Sequence, residues 1–350
     1  MTARKVVESR FMIESDCLSS VSNITFGHLN TASLLVSSHG RNDERPNGAI
    51  AGSIAKEDDR ASIAHVNSRQ RRMRFTRFIF FLPLAFFACT AAEQQVVEAP
   101  TTTTEHRDDL MVLYDSAQVT GSFILHDIDR DHWIFIDSAQ ADVATLPAST
   151  FKIFSSLYAL ESGVIVDPDE PFTWDGADYG RPEVNKDLTL RESVKVSAYW
   201  VHRDIARRAG GAVLKHWLDT VGYGNADTSG GFDRCWVRGN LRITPREQVH
   251  FLERLVRNDL PLSQRSMDIV KDITLQEDTL GYRLHGKTGW AMGTEGSIGW
   301  FVGWVEKEDG SGPFVFANRI QTPDALSETF PPARRAIAIE VLKRVGVLPQ

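Results

Sequence analysis

The chain has 350 residues, 42% hydrophobic and 24% charged, which is enough apolar material for one large core or two modest ones and excludes disorder throughout. A net charge of −7 supplies no broad basic surface for a phosphate backbone, although Arg69, Arg71, Arg72, Arg74 and Arg77 cluster locally, so nucleic acid is a poor partner. The three cysteines, Cys17, Cys89 and Cys235, share no short spacing, which argues against a metal site, a redox pair or a disulfide framework.

Residues 1–72 are polar, serine-rich and without periodicity, so they are expected to be a disordered extension or to precede the true start at Met73. Residues 78–88 form an apolar run too short to span a bilayer, preceded by Arg74 and Arg77 and followed by small residues. Residues 73–89 therefore read as a signal peptide, with export to the periplasm and no transmembrane span in the mature form; a buried core segment is the alternative. Cys89 after Ala88 resembles a lipoprotein processing site, with Phe86 where leucine is usual, so a lipid anchor at Cys89 and ordinary cleavage nearby both stay open. Residues 90–110, including Thr101 to Thr104, read as a linker.

The remainder, 111–350, is expected to be one catalytic domain. Gly121 to Asp127 and His132 to Asp137 predict a hairpin. Ile153, Leu157 and Leu160 recur at helical spacing, which starts a helix at Ser149 or Thr150 and ends it near Gly163. Thr244-Pro245-Arg246-Glu247 is a capping box with proline at the first helical position. Strands are expected over Tyr282 to Lys287, Ile298 to Glu306 and Phe314 to Asn318, with a turn at Asp309 to Gly312 and a last helix from Pro331 to Val345. Strands at both ends with helices between predict an α/β (α+β) fold: an antiparallel sheet flanked by the terminal helices, with a helical subdomain inserted over roughly 155–275.

Ser149-Thr150-Phe151-Lys152 places a hydroxyl and an amine on one helix face, next to backbone N–H groups that favour developing negative charge. That spacing alone is weak, because Ser53-Ile54-Ala55-Lys56 repeats it in the polar N-terminal segment. Lys287-Thr288-Gly289, at the end of a predicted strand, adds a second motif in the order found in penicillin-binding enzymes, with a glycine that admits a ligand to the backbone. Without that pairing, each lysine would read as an ordinary solvated charge.

Taken with Ser197-Ala198-Tyr199, Tyr223-Gly224-Asn225, Phe232 to Trp236, Lys287 to Trp290 and Ile298 to Glu306, the chain resembles a class D, oxacillinase-type serine β-lactamase over roughly Val119 to Val345. The resemblance implies the serine β-lactamase and penicillin-binding transpeptidase-like fold, with a β-lactam as the small-molecule substrate and no metal. Ser149 would be the nucleophile. Lys152, carboxylated on its amine by carbon dioxide or bicarbonate, would be the general base of acylation and deacylation, hydrogen-bonded by Trp236. Ser197 would relay a proton to the leaving nitrogen. Lys287 and Thr288 would hold the substrate carboxylate and assist the relay, Gly289, Trp290 and Tyr199 would line the substrate site, and the backbone N–H groups of Ser149 and Trp290 would form the oxyanion hole.

Arg334, just after Phe330-Pro331-Pro332 and next to Arg335, lies where the resemblance implies a carboxylate-binding arginine, with a surface helix charge as the alternative. Tyr199 stands where the family has valine, and its phenol would either crowd the modified lysine or turn outward. Tyr223 and Asn225 are expected to shape the site more than to react. Two further readings stand beside hydrolysis: a β-lactam sensor that is acylated without turnover, and a transpeptidase or carboxypeptidase acting on D-Ala-D-Ala peptides.

Overall fold

The computed structural model describes residues 101–293, 296–323 and 329–350. The expected extension, the signal segment with Cys89, the Ser53/Lys56 repeat and the first part of the linker lie outside the described residues.

In chain order the elements are β1 (Thr103–His106), α1 (Val112–Ser116), β2 (Thr120–Asp127), β3 (His132–Ile136), α2 (Phe151–Glu161), β4 (Pro171–Phe172), β5 (Leu188–Thr189), α3 (Leu190–Val196), α4 (Tyr199–Ala209), α5 (Gly211–Val221), α6 (Pro245–Val256), α7 (Gln264–Ile273), β6 (Leu275–Thr279), β7 (Tyr282–Gly293), β8 (Gly296–Lys307), β9 (Phe314–Thr322) and α8 (Phe330–Arg344). Seven strands make one sheet in the order β1-β3-β2-β9-β8-β7-β6, and β4 pairs separately with β5. Every neighbour in the large sheet is antiparallel except β1 with β3.

The period-two alternation of strands divides two cores. Phe123, Phe301, Val305, Phe316 and Ile320 face the terminal helices, packing with Tyr114 of α1 and with Ile337, Val341 and Leu342 of α8. Their alternates Ile124, Trp300, Val302, Trp304, Val315 and Ala317 face the other way, onto α2 and the helices that follow it. The result is a mixed α/β architecture with a central sheet between terminal helices and an inserted helical layer.

Besides the unpredicted strands β4, β5 and β6, three elements differ from the sequence reading. Thr103–His106, expected within a linker, is an edge strand lying parallel to β3. It carries no apolar alternation because both faces are largely exposed, and its β-branched threonines suit the extended backbone. The strand expected to end at Lys287 continues to Gly293, so Lys287-Thr288-Gly289 sits in mid-strand. The twelve-residue ladder to β8 overrides the weak strand preference of Gly286 and Gly289. Finally, Ser149 lies in a 3-10 turn, Ala148–Thr150, and the α-helix begins at Phe151.

Two capping boxes start helices that frame the site. Thr244 accepts from Glu247 N while Glu247 accepts from Thr244 N, and Thr189 and Glu192 do the same for α3.

Candidate active site

The 3-10 turn carrying Ser149 is fixed from several sides. Ala148 holds a left-handed φ of 51° and its N–H donates to Trp236 O at 2.9 Å. Thr150 Oγ1 donates to Pro147 O at 2.7 Å and accepts from Gln248 Nε2 of α6 at 2.8 Å. Trp300 Nε1 donates to Leu146 O at 2.9 Å. From the sheet side, Gly289 lets β7 press on the same turn: a Cβ there would lie 3.0 Å from Pro147 O and 3.2 Å from Thr150 Cγ2. The Ser149 turn and the Lys-Thr-Gly strand are thus packed backbone to backbone.

Ser149 is half-buried, and Lys152, one helical turn on, is wholly removed from solvent. Lys152 Nζ donates to Ser149 Oγ at 2.9 Å. Trp236 stacks on Phe151, ring centroids 4.7 Å apart and planes 10° apart. Its indole Nε1 is buried without a hydrogen-bond partner, an expensive state for a donor. Tyr199 opens α4 half-buried, its ring 6.1 Å from that of Trp236 and tilted by 55°.

Ser197 closes α3 in the left-handed region, φ 60° and ψ 42°, a strained conformation for serine. The turn is held by Ala198 N–H donating to Ser193 O at 2.8 Å and by Arg181 Nη2 donating to Val196 O at 3.0 Å.

On β7, Lys287 is 4% exposed and donates to Thr288 O at 3.0 Å. Burial, then the positive fields of Lys152, Arg334 and Arg181, push its ammonium well below the usual lysine range. Thr288 is half-buried, while Trp290 is 36% exposed and donates to Ser297 Oγ at 3.2 Å.

Arg334 reaches this strand from α8, with Nη1 on Gly289 O at 2.7 Å and Nε on Pro331 O at 2.7 Å. It lies over Gly299, where a Cβ would stand 2.6 Å from Arg334 Cγ. Burial lowers its guanidinium to about 10. Arg335 turns away and pairs with Glu277. Arg334 and Arg181, with the amines of Lys152 and Lys287, supply cationic and hydrogen-bond-donor groups near this strand, which suits an anionic ligand. Among the described residues no group of histidine, cysteine and carboxylate side chains is arranged to hold a metal.

Of the sequence candidates, the structure joins Ser149 to Lys152 directly and packs Gly289 and Arg334 around the same turn. Tyr223 meets Phe151, the stacking partner of Trp236, edge to face at 5.8 Å. Tyr223 is a core ring against Phe154 and Phe251, and Asn225 ties Asn240 O to Arg242 N in the loop leading to α6. Three contributors escaped sequence reasoning: Gln248, Arg181 and the buried His202. The only available signal was their spacing, His202 three residues after Tyr199 and Gln248 one after the capping-box glutamate.

The family model for the penicillin-binding protein transpeptidase domain matches residues 136–343. The curated β-lactamase OXA-5 of Pseudomonas aeruginosa is 37% identical over 77% of this chain and 97% of its own length. OXA-48 of Klebsiella pneumoniae is 40% identical over 60% of this chain and 77% of its own. Among solved structures, the class D β-lactamase YbXI from Nostoc superposes with a TM-score of 0.65 at 37% identity, covering 68% of this chain and 99% of that one. The C-terminal domain of the BlaR penicillin receptor of Bacillus licheniformis does so with 0.66 at 33%, covering 72% and 100%.

Proposed function

The chain belongs to the class D β-lactamases, serine hydrolases of the penicillin-binding transpeptidase fold, and from that premise we propose how its own residues open a β-lactam ring. The contact that carries the proposal is Lys152 Nζ on Ser149 Oγ at 2.9 Å, with the amine enclosed and the hydroxyl at the solvent boundary.

Ser149 Oγ attacks the lactam carbonyl while its proton leaves toward the Lys152 side, and the ring nitrogen departs with a proton passed by Ser197. The backbone N–H groups of Ser149 and Trp290 stabilise the oxyanion. Lys287, Thr288 and Arg334 hold the substrate carboxylate, the guanidinium of Arg334 supplying the charged donors and the amine and hydroxyl neutral ones. The indole ring of exposed Trp290 offers the substrate body an apolar wall.

We further propose that Lys152 is carboxylated by carbon dioxide, which joins the free amine and releases one proton. The fit rests on two features: desolvation of a fully enclosed side chain favours the neutral amine over ammonium, and the unpartnered Trp236 N–H is a donor an anionic oxygen would satisfy. When bound, the carboxylate group supplies a general base. Tyr199 lies beside Trp236, ring centroids 6.1 Å apart. Export of the chain, with or without a lipid on Cys89, rests on residues 73–89.

The likeness to the BlaR domain favours a second reading, a sensor acylated without release. Steady-state assays of the Met73-start protein with penicillins and a chromogenic cephalosporin, bicarbonate supplied, separate the two. Turnover supports the hydrolase; a long-lived adduct on Ser149 without product supports the sensor. Turnover of a D-Ala-D-Ala peptide instead would favour the transpeptidase reading.

A further inference from the structure

Beneath the site lies a buried polar chain that no step above uses. His202, on α4, is wholly enclosed. Its Nδ1 is 2.5 Å from Ser155 Oγ of α2, and its Nε2 is 3.2 Å from Ser193 Oγ of α3. Counting protons orders this chain. Ser193 spends its one hydroxyl proton on Leu190 O at 2.7 Å, so it accepts from His202 Nε2–H. Nδ1 is then the bare nitrogen and accepts from Ser155, whose alternative acceptor, Lys152 O, is farther at 3.3 Å. Burial, then the fields of Lys152 and Lys287, hold the ring well below the usual histidine range, so the neutral form with the Nε2 proton is the one in place.

The two ends of the chain are informative. Ser155 lies one helical turn beyond Lys152, and Ser156 Oγ also donates to Lys152 O, at 2.7 Å. Ser193 is the residue whose carbonyl receives Ala198 N–H and so secures the left-handed turn at Ser197. A left-handed serine persists only where its surroundings over-determine it. An apolar core would fill the space between three helices without fixing their mutual register, whereas a satisfied hydrogen-bond chain in low dielectric specifies it.

We propose that His202 is a positioning residue that sets the distance between Lys152 and Ser197, by clamping α2 to α3 through Ser155 and Ser193. The inference rests on the reading of Ser197 as proton relay and extends it. Its role is to keep the relay hydroxyl on station; it touches neither substrate nor reacting atoms.

The test is a double-mutant cycle on kcat/KM for a penicillin, with melting temperature followed in parallel. His202→Phe, close in size and without hydrogen bonds, is expected to lower kcat/KM by about tenfold or more in the otherwise unchanged enzyme. In the Ser197→Ala background the same change is expected to alter it by less than about twofold, because the hydroxyl it positions is gone. His202→Gln, which keeps one donor and one acceptor, should recover part of the loss. Equal losses in both backgrounds, or no loss in the unchanged enzyme, would overturn the inference. Should His202→Phe fail to fold, Ser193→Ala breaks the same link at smaller volume and is read the same way. Ser197→Ala alone keeps the two ideas apart: full activity in that variant refutes the relay, while an impaired Ser197→Ala beside an unaffected His202→Phe refutes only the clamp.

Discussion

In the proposed mechanism the chemistry turns on Lys152 and Trp236, which make different contributions. Replacing Lys152 with Ala removes the partner 2.9 Å from Ser149 Oγ, so slow acylation at most and almost no deacylation are expected. Stopped-flow acylation and the lifetime of the adduct measure the two steps separately; unchanged turnover would contradict the assignment. Trp236→Phe keeps the stacking on Phe151 but deletes the buried N–H. A hydrogen bond to a charged group contributes about 1.5–3 kcal/mol, so loss of turnover by about tenfold or more is expected, partly restored by added bicarbonate. Equal activity with and without bicarbonate in both proteins would count against carboxylation.

At the scale of elements, the site depends on how β7 meets the Ser149 turn. A side chain at Gly289 must displace Pro147 O or Thr150, so Gly289→Val should lower kcat/KM strongly while leaving the sheet intact by circular dichroism. The capping box of α6 is a milder lever. Thr244→Ala should destabilise the protein by about 1 kcal/mol, read as a lower denaturant midpoint, with activity nearly kept. Such local devices were legible in the sequence: the β2–β3 hairpin and the Thr244 box follow from turn chemistry, and β8 and β9 from short apolar runs around a Gly-rich turn, buried on both faces. The edge strands β1 and β6 were not, because strands exposed on both faces, Thr103–His106 and Leu275–Thr279, carry no hydrophobic period. Nor was the full length of β7, whose glycines serve close packing rather than strand preference. His202 and Gln248 were invisible for another reason: Ser155 is 47 residues from His202, and Thr150 is 98 from Gln248.

At the scale of the whole molecule, a buried polar cluster ties the sheet to α6. His126 of β2 contacts Glu253 through Nδ1 and Asp131 through Nε2, the latter at 3.0 Å, and stacks on Trp133 at 4.0 Å. Burial alone would raise the Glu253 carboxyl, but hydrogen bonds from His126 and His250 bring it from 4.5 down to about 2. A depressed carboxyl contributes stability above its unfolded value and loses it as the pH falls through the folded one. Unfolding free energy should therefore drop as pH falls from 4.5 toward 2. Glu253→Gln should flatten that slope and destabilise the neutral protein by about 3 kcal/mol, since it unpairs a buried ionic group. An unchanged acid profile would contradict this.

The family was legible from the spacing and order of Ser149, Ser197 and Lys287, whereas the contact of Lys152 with Ser149 and the packing of β7 on that turn are properties of the folded chain. The turnover proposed for that turn is tested most directly by time-resolved intact-protein mass spectrometry after mixing with a penicillin. The expected record is a transient adduct of the whole drug mass, absent in Ser149→Ala and decaying as hydrolysed penicillin appears. No adduct, or an adduct on Ser149 that never decays, would contradict the account.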